Sequence, residues 1–538
     1  MALTLAASGK LIIHDLMTNG YFPDRIIPPV NALGITVALP DMMKHIRPIM
    51  LGMLAKQANK LRSRCVTHSV PKRKHLRRSL SIPNPLHQLM AAAQIAHDWK
   101  DIYKFCRQSP LSLSMPVLGT DRAVESQNDL NKQPFFRAQR SVGARFLLKT
   151  DIARFYPSIY THSIPWALHG KAAARADKKY ALFGNRIDLW TRESQDKQTG
   201  GIPIGPDTSF IIGEIIGTAL DLELQKKLPN IKGTRSIDDY NLYLGSISEA
   251  ETALAVLHGV AKQYELEIND PKTEIISLPD RFEPAWKSDL RGLVIRDSGQ
   301  PQATDLLSLF DRAYEHAKNF PTDNVLTYAA KQVLSAKLAE ENWIFCESLL
   351  LRAALGEPTM LSVVGDVYDH YPAFHKNNGA LTSALESICS YHAPLQQGNE
   401  VSWALWLAKK MGVFISRTVG DKIAAVDDDI VALIGLDLIE RGFLQTSKLT
   451  LWRSRMNATH LYEDHWLLAY EAHEHGWAVA KTDYIANDEF FSILQKHGVR
   501  FYGGNLAPTA SYYGYSDDGD VPDETEEFIE DEPEVTPI

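Results

Sequence analysis

Residues 234–244 read Thr234-Arg235-Ser236-Ile237-Asp238-Asp239-Tyr240-Asn241-Leu242-Tyr243-Leu244, with adjacent aspartates between two strand-like runs. This pattern predicts a β-hairpin with the aspartates at its turn. Upstream, Phe146-Leu147-Leu148 is the apolar part of a strand expected over 145–152. That strand delivers a third carboxylate in Asp151-Ile152-Ala153-Arg154-Phe155-Tyr156-Pro157-Ser158. Carboxylates at the ends of neighbouring strands make a hard oxygen site suited to Mg²⁺. Two such ions clamp the attacking and leaving oxygens of an in-line phosphoryl displacement, the chemistry of a nucleic-acid polymerase. Adjacent acids alone mean little, and Asp427-Asp428-Asp429 is read as a chance run.

Around these strands the periodicity predicts helices over 86–105, 159–169, 208–224 and 249–264. Strand, helices, hairpin and helix in this order fit an α+β domain with helices on one face of an antiparallel sheet. After about residue 300 the pattern changes. Amphipathic helices are expected over 305–317, 325–338, 343–355, 361–368, 381–389, 403–411, 427–441 and 465–475, with almost no strand pattern. A stacked helical array is the natural way to bury so many one-faced helices, although no strict repeat period is visible. Trp343, Trp403, Trp406, Trp452, Trp466 and Trp477 are expected in its core. The boundaries that follow are 1–300, 301–510 and an acidic tail over 511–538, disordered by composition.

Composition excludes several classes. The 538 residues exceed one core, and 45% apolar content is ordinary for a globular chain. Cys65, Cys106, Cys346 and Cys389 match no zinc spacing and read as reduced core thiols. No apolar run reaches a membrane span and the first residues lack a signal pattern, so a cytoplasmic protein without membrane contact is expected. Residues 517–534 hold eleven acidic side chains; setting these aside turns the formal charge of −8 into +3. Lys60, Arg62, Arg64, Lys72, Arg73, Lys74, Arg77 and Arg78 cluster, with His68 and His75 among them. Such a cluster attracts phosphate or forms a solvated face.

Three further motifs carry chemistry. Residues 70–83, Val70-Pro71-Lys72-Arg73-Lys74-His75-Leu76-Arg77-Arg78-Ser79-Leu80-Ser81-Ile82-Pro83, read as a basic hairpin whose Lys and Arg could grip a triphosphate. Gly201-Ile202-Pro203-Ile204-Gly205-Pro206-Asp207-Thr208-Ser209 is a Gly-Pro loop feeding a helix that Asp207 or Thr208 could cap. In Leu266-Glu267-Ile268-Asn269-Asp270-Pro271-Lys272-Thr273, Lys272 follows a strand and turn, where it could protonate a leaving pyrophosphate.

Basic hairpin, strand-Asp, Gly-Pro loop, Asp-Asp turn and Asn-x-x-Lys-Thr occur in the order of reverse transcriptase motifs. The stretches 155–167 and 201–209 most resemble the bacterial abortive-infection (AbiK-like) branch, which includes related phage-defence enzymes. The resemblance covers about residues 20–300 by motif. It implies a reverse-transcriptase fingers-palm domain followed by an all-α, HEAT-like helical repeat domain.

By position, the resemblance makes Asp151, Asp238 and Asp239 the ligands of two Mg²⁺ ions and Lys272 the general acid. Tyr156 falls where the steric gate lies under the nucleotide sugar. Lys72 and Arg78 match the triphosphate-gripping pair, Arg77 being adjacent. Gly205 and Ser209 match the loop against the base pair. Two departures stand out: Ser236 replaces the aromatic usual two residues before Asp238, and Ile204 replaces the glutamine usual before Gly205.

The activity implied is deoxynucleotide transfer from dNTPs to a growing 3′ end. In this branch the single-stranded DNA product starts from a protein hydroxyl, and several members copy no template. Tyr21, Tyr160 and several serines are equally eligible primers. The implied role is phage defence in the bacterial cytoplasm, by a homo-oligomer that is a trimer or larger. Two alternatives remain open: a templated enzyme copying a bound non-coding RNA, and an idle polymerase fold serving as a nucleic-acid-binding scaffold.

Overall fold

The computed structural model describes residues 7–24, 26–52, 62–73, 76–375, 378–479 and 482–503. Lys60, Lys74, His75 and the acidic tail lie outside the described residues. Strands β1 (Val66–Arg73) and β2 (Leu76–Ile82) form the expected basic hairpin, with a register shift between Pro71 and Arg73 that puts Lys72 at a bulge. A second small ribbon pairs β3 (Pro116–Leu118) with β4 (Val124–Ser126).

The central sheet contains β5 (Phe146–Asp151), β6 (Lys232–Ser236), β7 (Asp239–Leu244) and β8 (Glu274–Ser277), in the order β6-β7-β5-β8. Every neighbouring pair is antiparallel. Leu147, Leu148, Tyr240 and Leu242 are buried in it. Helix Ile247–Gln263 packs on β5 and β7, and helix Asp207–Lys227 packs on that helix. The first begins sharply because Ser246 accepts from Glu249 N while Glu249 Oε2 accepts from Gly245 N, a close relative of the capping box. This is the expected α+β arrangement.

Two expected helices are broken. The one over 86–105 splits at Asp98 into Pro85–His97 and Trp99–Cys106, because Asp98 leaves helical geometry and its carboxylate takes Gln94, His97 and Arg186 as partners. The one over 159–169 becomes Phe155–Ser158 and Ser163–His169, with Ile159 out of helical geometry between them at φ −57°, ψ 116°. The expected strand before Lys272 reduces to one bridge, between Ile268 and Ile152.

Among the described residues no strand follows β8. Helices Gly299–Asn319, Val325–Ser335, Trp343–Gly356, Leu361–His370, Gly379–His392, Gly398–Met411, Asp429–Glu440 and Trp466–Glu474 stack so that each packs on its neighbour or the one beyond. Trp343, Trp403, Trp452 and Trp466 are buried in this stack, and Trp406 and Trp477 are half-buried at its margin. No described helix is long and apolar enough to cross a membrane. All four cysteines are free, and burial pushes the Cys106, Cys346 and Cys389 thiols up to about 12, which removes them as thiolates at neutral pH.

The basic hairpin is docked on the helical stack. His68 Nδ1 is 2.8 Å from Asp428 Oδ2, and Arg77 makes a two-pronged ion pair with Glu400. Trp466 Nε1 donates to Ile82 O, and Asn84 Nδ2 donates to Leu461 O. The Asp427–Asp429 run is therefore no accident, which corrects the sequence reading. Asp428 caps helix Asp429–Glu440 at Ile430 N and Val431 N, Asp429 takes His465 and Leu468 N, and Asp427 pairs with Arg455. Asp428→Ala should cost about 2–4 kcal/mol in denaturant unfolding, since one change removes a cap and leaves His68 buried without its acceptor. A loss under about 0.5 kcal/mol would mean the clamp is incidental.

Candidate active site

β5 ends at Asp151, and the strand register sets Asp151 opposite Asp239 at the start of β7. The β6–β7 connection is only Ile237 and Asp238, and Ile237 takes the left-handed conformation at φ 56°. Ile152 N donates to Asp238 O, and Asn269 N donates to Asp151 O, so turn, strand end and the Lys272 segment are tied together. Lys272 sits in the short 3₁₀ turn Asp270–Lys272 and its ammonium pairs with Asp151 Oδ2. Asp151 is buried, and its other oxygen, Oδ1, has no hydrogen-bond partner. The Asp238 carboxyl is pushed up to about 7 by burial first, then by the charges of Asp239 and Asp151, with Lys272 opposing.

Hence four of the expected residues, Asp151, Asp238, Asp239 and Lys272, meet in one place. Among the described residues no group of three or more His, Cys, Asp or Glu side chains stands ready to hold a metal ion. The donor chemistry nevertheless fits one: crowded carboxylates, an orphaned buried carboxylate oxygen, and a lysine ammonium lying where positive charge is wanted.

Beneath the turn lies a buried charge network that the sequence reading missed. Arg235 is fully buried and donates to Glu214 from both terminal nitrogens, to Asp221 from Nε at 2.8 Å, and to Ile237 O at 2.8 Å. Ser112 and Ser114 donate to Glu214, Ser109 and Tyr240 donate to Asp221, and Ser114 Oγ accepts from Ile237 N. Burial opposes the Arg235 charge, but Asp221 and Glu214 hold its proton above the ordinary arginine value. The strained residue of the turn is thus held from both its N–H and its carbonyl. The one available signal was spacing. Glu214 and Asp221 are seven apart on one helix face, and Gly217 lies between them, where an added Cβ would be 2.5 Å from Arg235 Nη1.

Tyr156 stands beside this cluster. Its ring packs on helix Asp207–Lys227, where a Cβ on Gly213 would meet it at 3.3 Å, and its carbonyl accepts from Ile202 N. Burial raises the phenol well above its usual value, with Glu214 and Asp238 adding and Arg78 subtracting. Arg78 on β2 is therefore an electrostatic neighbour of the site, and both it and Lys72 are exposed. The hairpin is pinned to the Gly-Pro loop by Ser81 N donating to Ile204 O.

Gly205 and Ser209 stand apart from open space. Gly205 has φ 135°, and a Cβ there would lie 2.4 Å from Pro23 Cγ; Ser209 is buried in the first turn of its helix. The expected cap is also absent. Pro206 precedes the helix, and Asp207 pairs with Arg122 and accepts from Val124 N. Arg122 further donates to Phe22 O, so it locks the loop against the N-terminal segment.

One other expectation fails on geometry, and one left open is narrowed. Tyr21 is fully buried with its hydroxyl donating to Pro83 O at 2.5 Å, so it offers no primer hydroxyl. In the supposed phosphate-attracting cluster, Arg62 and Arg64 pair with Asp196, Arg77 pairs with Glu400, and His68 is buried. These charges are paired within the protein, whereas Arg78 and Lys72 of the same cluster are exposed. No family model matches the chain, and no curated protein matches it.

Proposed function

We propose that this chain is an abortive-infection-type, reverse-transcriptase-like DNA polymerase that transfers deoxynucleotides from dNTPs. One observation carries the reading: strand register and a two-residue turn gather Asp151, Asp238 and Asp239, with an unpartnered Asp151 oxygen and Lys272 at hand. Two Mg²⁺ ions held by these carboxylates would supply charge neutralisation for the attacking 3′-oxygen and the leaving pyrophosphate. Lys272, released from Asp151, would give a proton to that leaving group. Lys72 and Arg78 on the hairpin would bind the triphosphate, and Gly205 in the packed loop and Ser209 in the first turn of the helix after it would shape the floor. In this reading the helical stack is the HEAT-like repeat domain. The protein is a cytoplasmic phage-defence enzyme that assembles as a trimer or larger.

Ser236 and Ile204 stand where template-primer contacts would be made in related enzymes, which favours synthesis without a template. Sequencing the product from purified protein with all four dNTPs tests this. A biased or random sequence is expected, and a single defined sequence would point to a bound RNA template.

Tyr156→Ala should erase sugar discrimination. The ring is fixed between Phe155 and Gly213, so it forms a rigid wall, and cutting it back makes room for a 2′-hydroxyl. The preference for dATP over ATP should fall about tenfold or more in side-by-side assays. A variant that stays as selective as the parent would place the gate at another residue.

A further inference from the structure

The stretch that follows Tyr156 takes no part in the proposed transfer step, and its side chains make a cationic surface. Tyr160 bridges to Gly200 and is half-buried, with its ring 5.6 Å from Trp166. Lys171 lies 4.0 Å over the Trp166 ring, and Arg175 lies 5.7 Å from it on the same helix face. Lys178 and Lys179 follow in the next turn, and all four cations are exposed. Among the described residues none of the four makes an ion pair. The nearest carboxylate in sequence, Asp177, is occupied: it accepts from the backbone of Lys179, Ala181 and Leu182 and from the Asn185 side chain. This contrasts with Arg62, Arg64 and Arg77, whose charges the fold neutralises.

We infer that the surface formed by Tyr160, Lys171, Arg175, Lys178 and Lys179, laid over the buried Trp166, binds single-stranded nucleic acid. Unneutralised cations in a short row suit a phosphate backbone, and the partly exposed Tyr160 ring beside them suits an unpaired base. Duplex DNA offers the same phosphates but no free base face, so the aromatic element selects the single strand. The surface starts four residues beyond Tyr156, on the segment that leaves the aspartate cluster. A product strand is thus the occupant that fits both its charge and its place. The inference rests on the polymerase reading for the identity of the strand, and on its own charges and rings for the binding.

The test is fluorescence anisotropy with labelled oligo(dT) on the full chain at several salt concentrations. Replacing Lys171, Arg175, Lys178 and Lys179 together by glutamine should weaken binding at least about tenfold at low salt. It should also flatten the log–log salt slope by about 2–3, given roughly 0.7 per phosphate contact on a single strand. Tyr160→Ala should weaken binding about tenfold and leave the slope unchanged. Thermal melting of the quadruple variant should match the parent, since its four side chains are exposed. Unchanged affinity and slope in the quadruple variant, or tighter binding of duplex than of oligo(dT), overturns the inference. If the intact chain incorporates no dNTP while the quadruple variant still loses oligo(dT), the polymerase reading fails and this surface stands.

Discussion

Replacing Asp238 by asparagine is expected to cut dNTP incorporation at least about a thousandfold while the chain folds as before. The side chain sits in a turn of two residues, between two strands whose register brings Asp239 and Asp151 alongside. An amide keeps the shape and removes the charge, so the loss measures transition-state stabilisation worth several kcal/mol. The fold should benefit. In the native protein the Asp238 carboxyl is pushed up to about 7, by burial first and by two like charges next, while in the unfolded chain it titrates near the ordinary carboxylate value. Between these values the native state holds a proton that the unfolded state has lost. Its contribution to stability is therefore largest at low pH and declines as pH rises from about 4 to about 7. In chelator, Asp238→Asn should flatten that part of the melting-temperature profile. Full polymerase activity in this variant would remove Asp238 from the site.

The second large effect belongs to Arg235. Arg235→Met should destabilise the protein by about 3–5 kcal/mol, because Glu214 and Asp221 would remain buried without a counter-charge. The Ile237 carbonyl would also lose its donor, so the turn that carries Asp238 should loosen. The triple variant Arg235→Met, Glu214→Gln, Asp221→Asn should recover most of the stability, since neutral groups cost far less to bury. Equilibrium urea unfolding measures both. A loss under about 1 kcal/mol for the single change would show that the network is not what holds this turn.

The sequence made the sheet legible because its signals are local. The apolar run 146–148 and the alternation through 240–244 need no distant partner to be read, and the Asp-Asp pair between strands is visible at once. The helical half was legible for the same reason, since a one-faced helix carries its own period. What escaped were interactions between distant residues. Asp98 breaks a helix through Arg186, and Asp428 looks idle until His68 is found 360 positions away. The basic cluster looked available for phosphate because its neutralising carboxylates, Asp196 and Glu400, lie in other parts of the chain. Conversely, the small residues Ser209, Gly213 and Gly217 were visible, but not why they are small. Gly213 makes room for Tyr156 and Gly217 makes room for Arg235.

The central claim is that Asp151, Asp238 and Asp239 carry a metal-dependent nucleotidyl transfer. It is tested most directly by incubating the purified chain with radiolabelled dNTPs, with and without Mg²⁺, in the presence and absence of a template-primer. The account predicts acid-insoluble label that needs Mg²⁺, vanishes with chelator, and is absent when any one of the three aspartates is asparagine. Incorporation at the parent rate by a protein with all three replaced, or none by the intact chain under every condition, would contradict it.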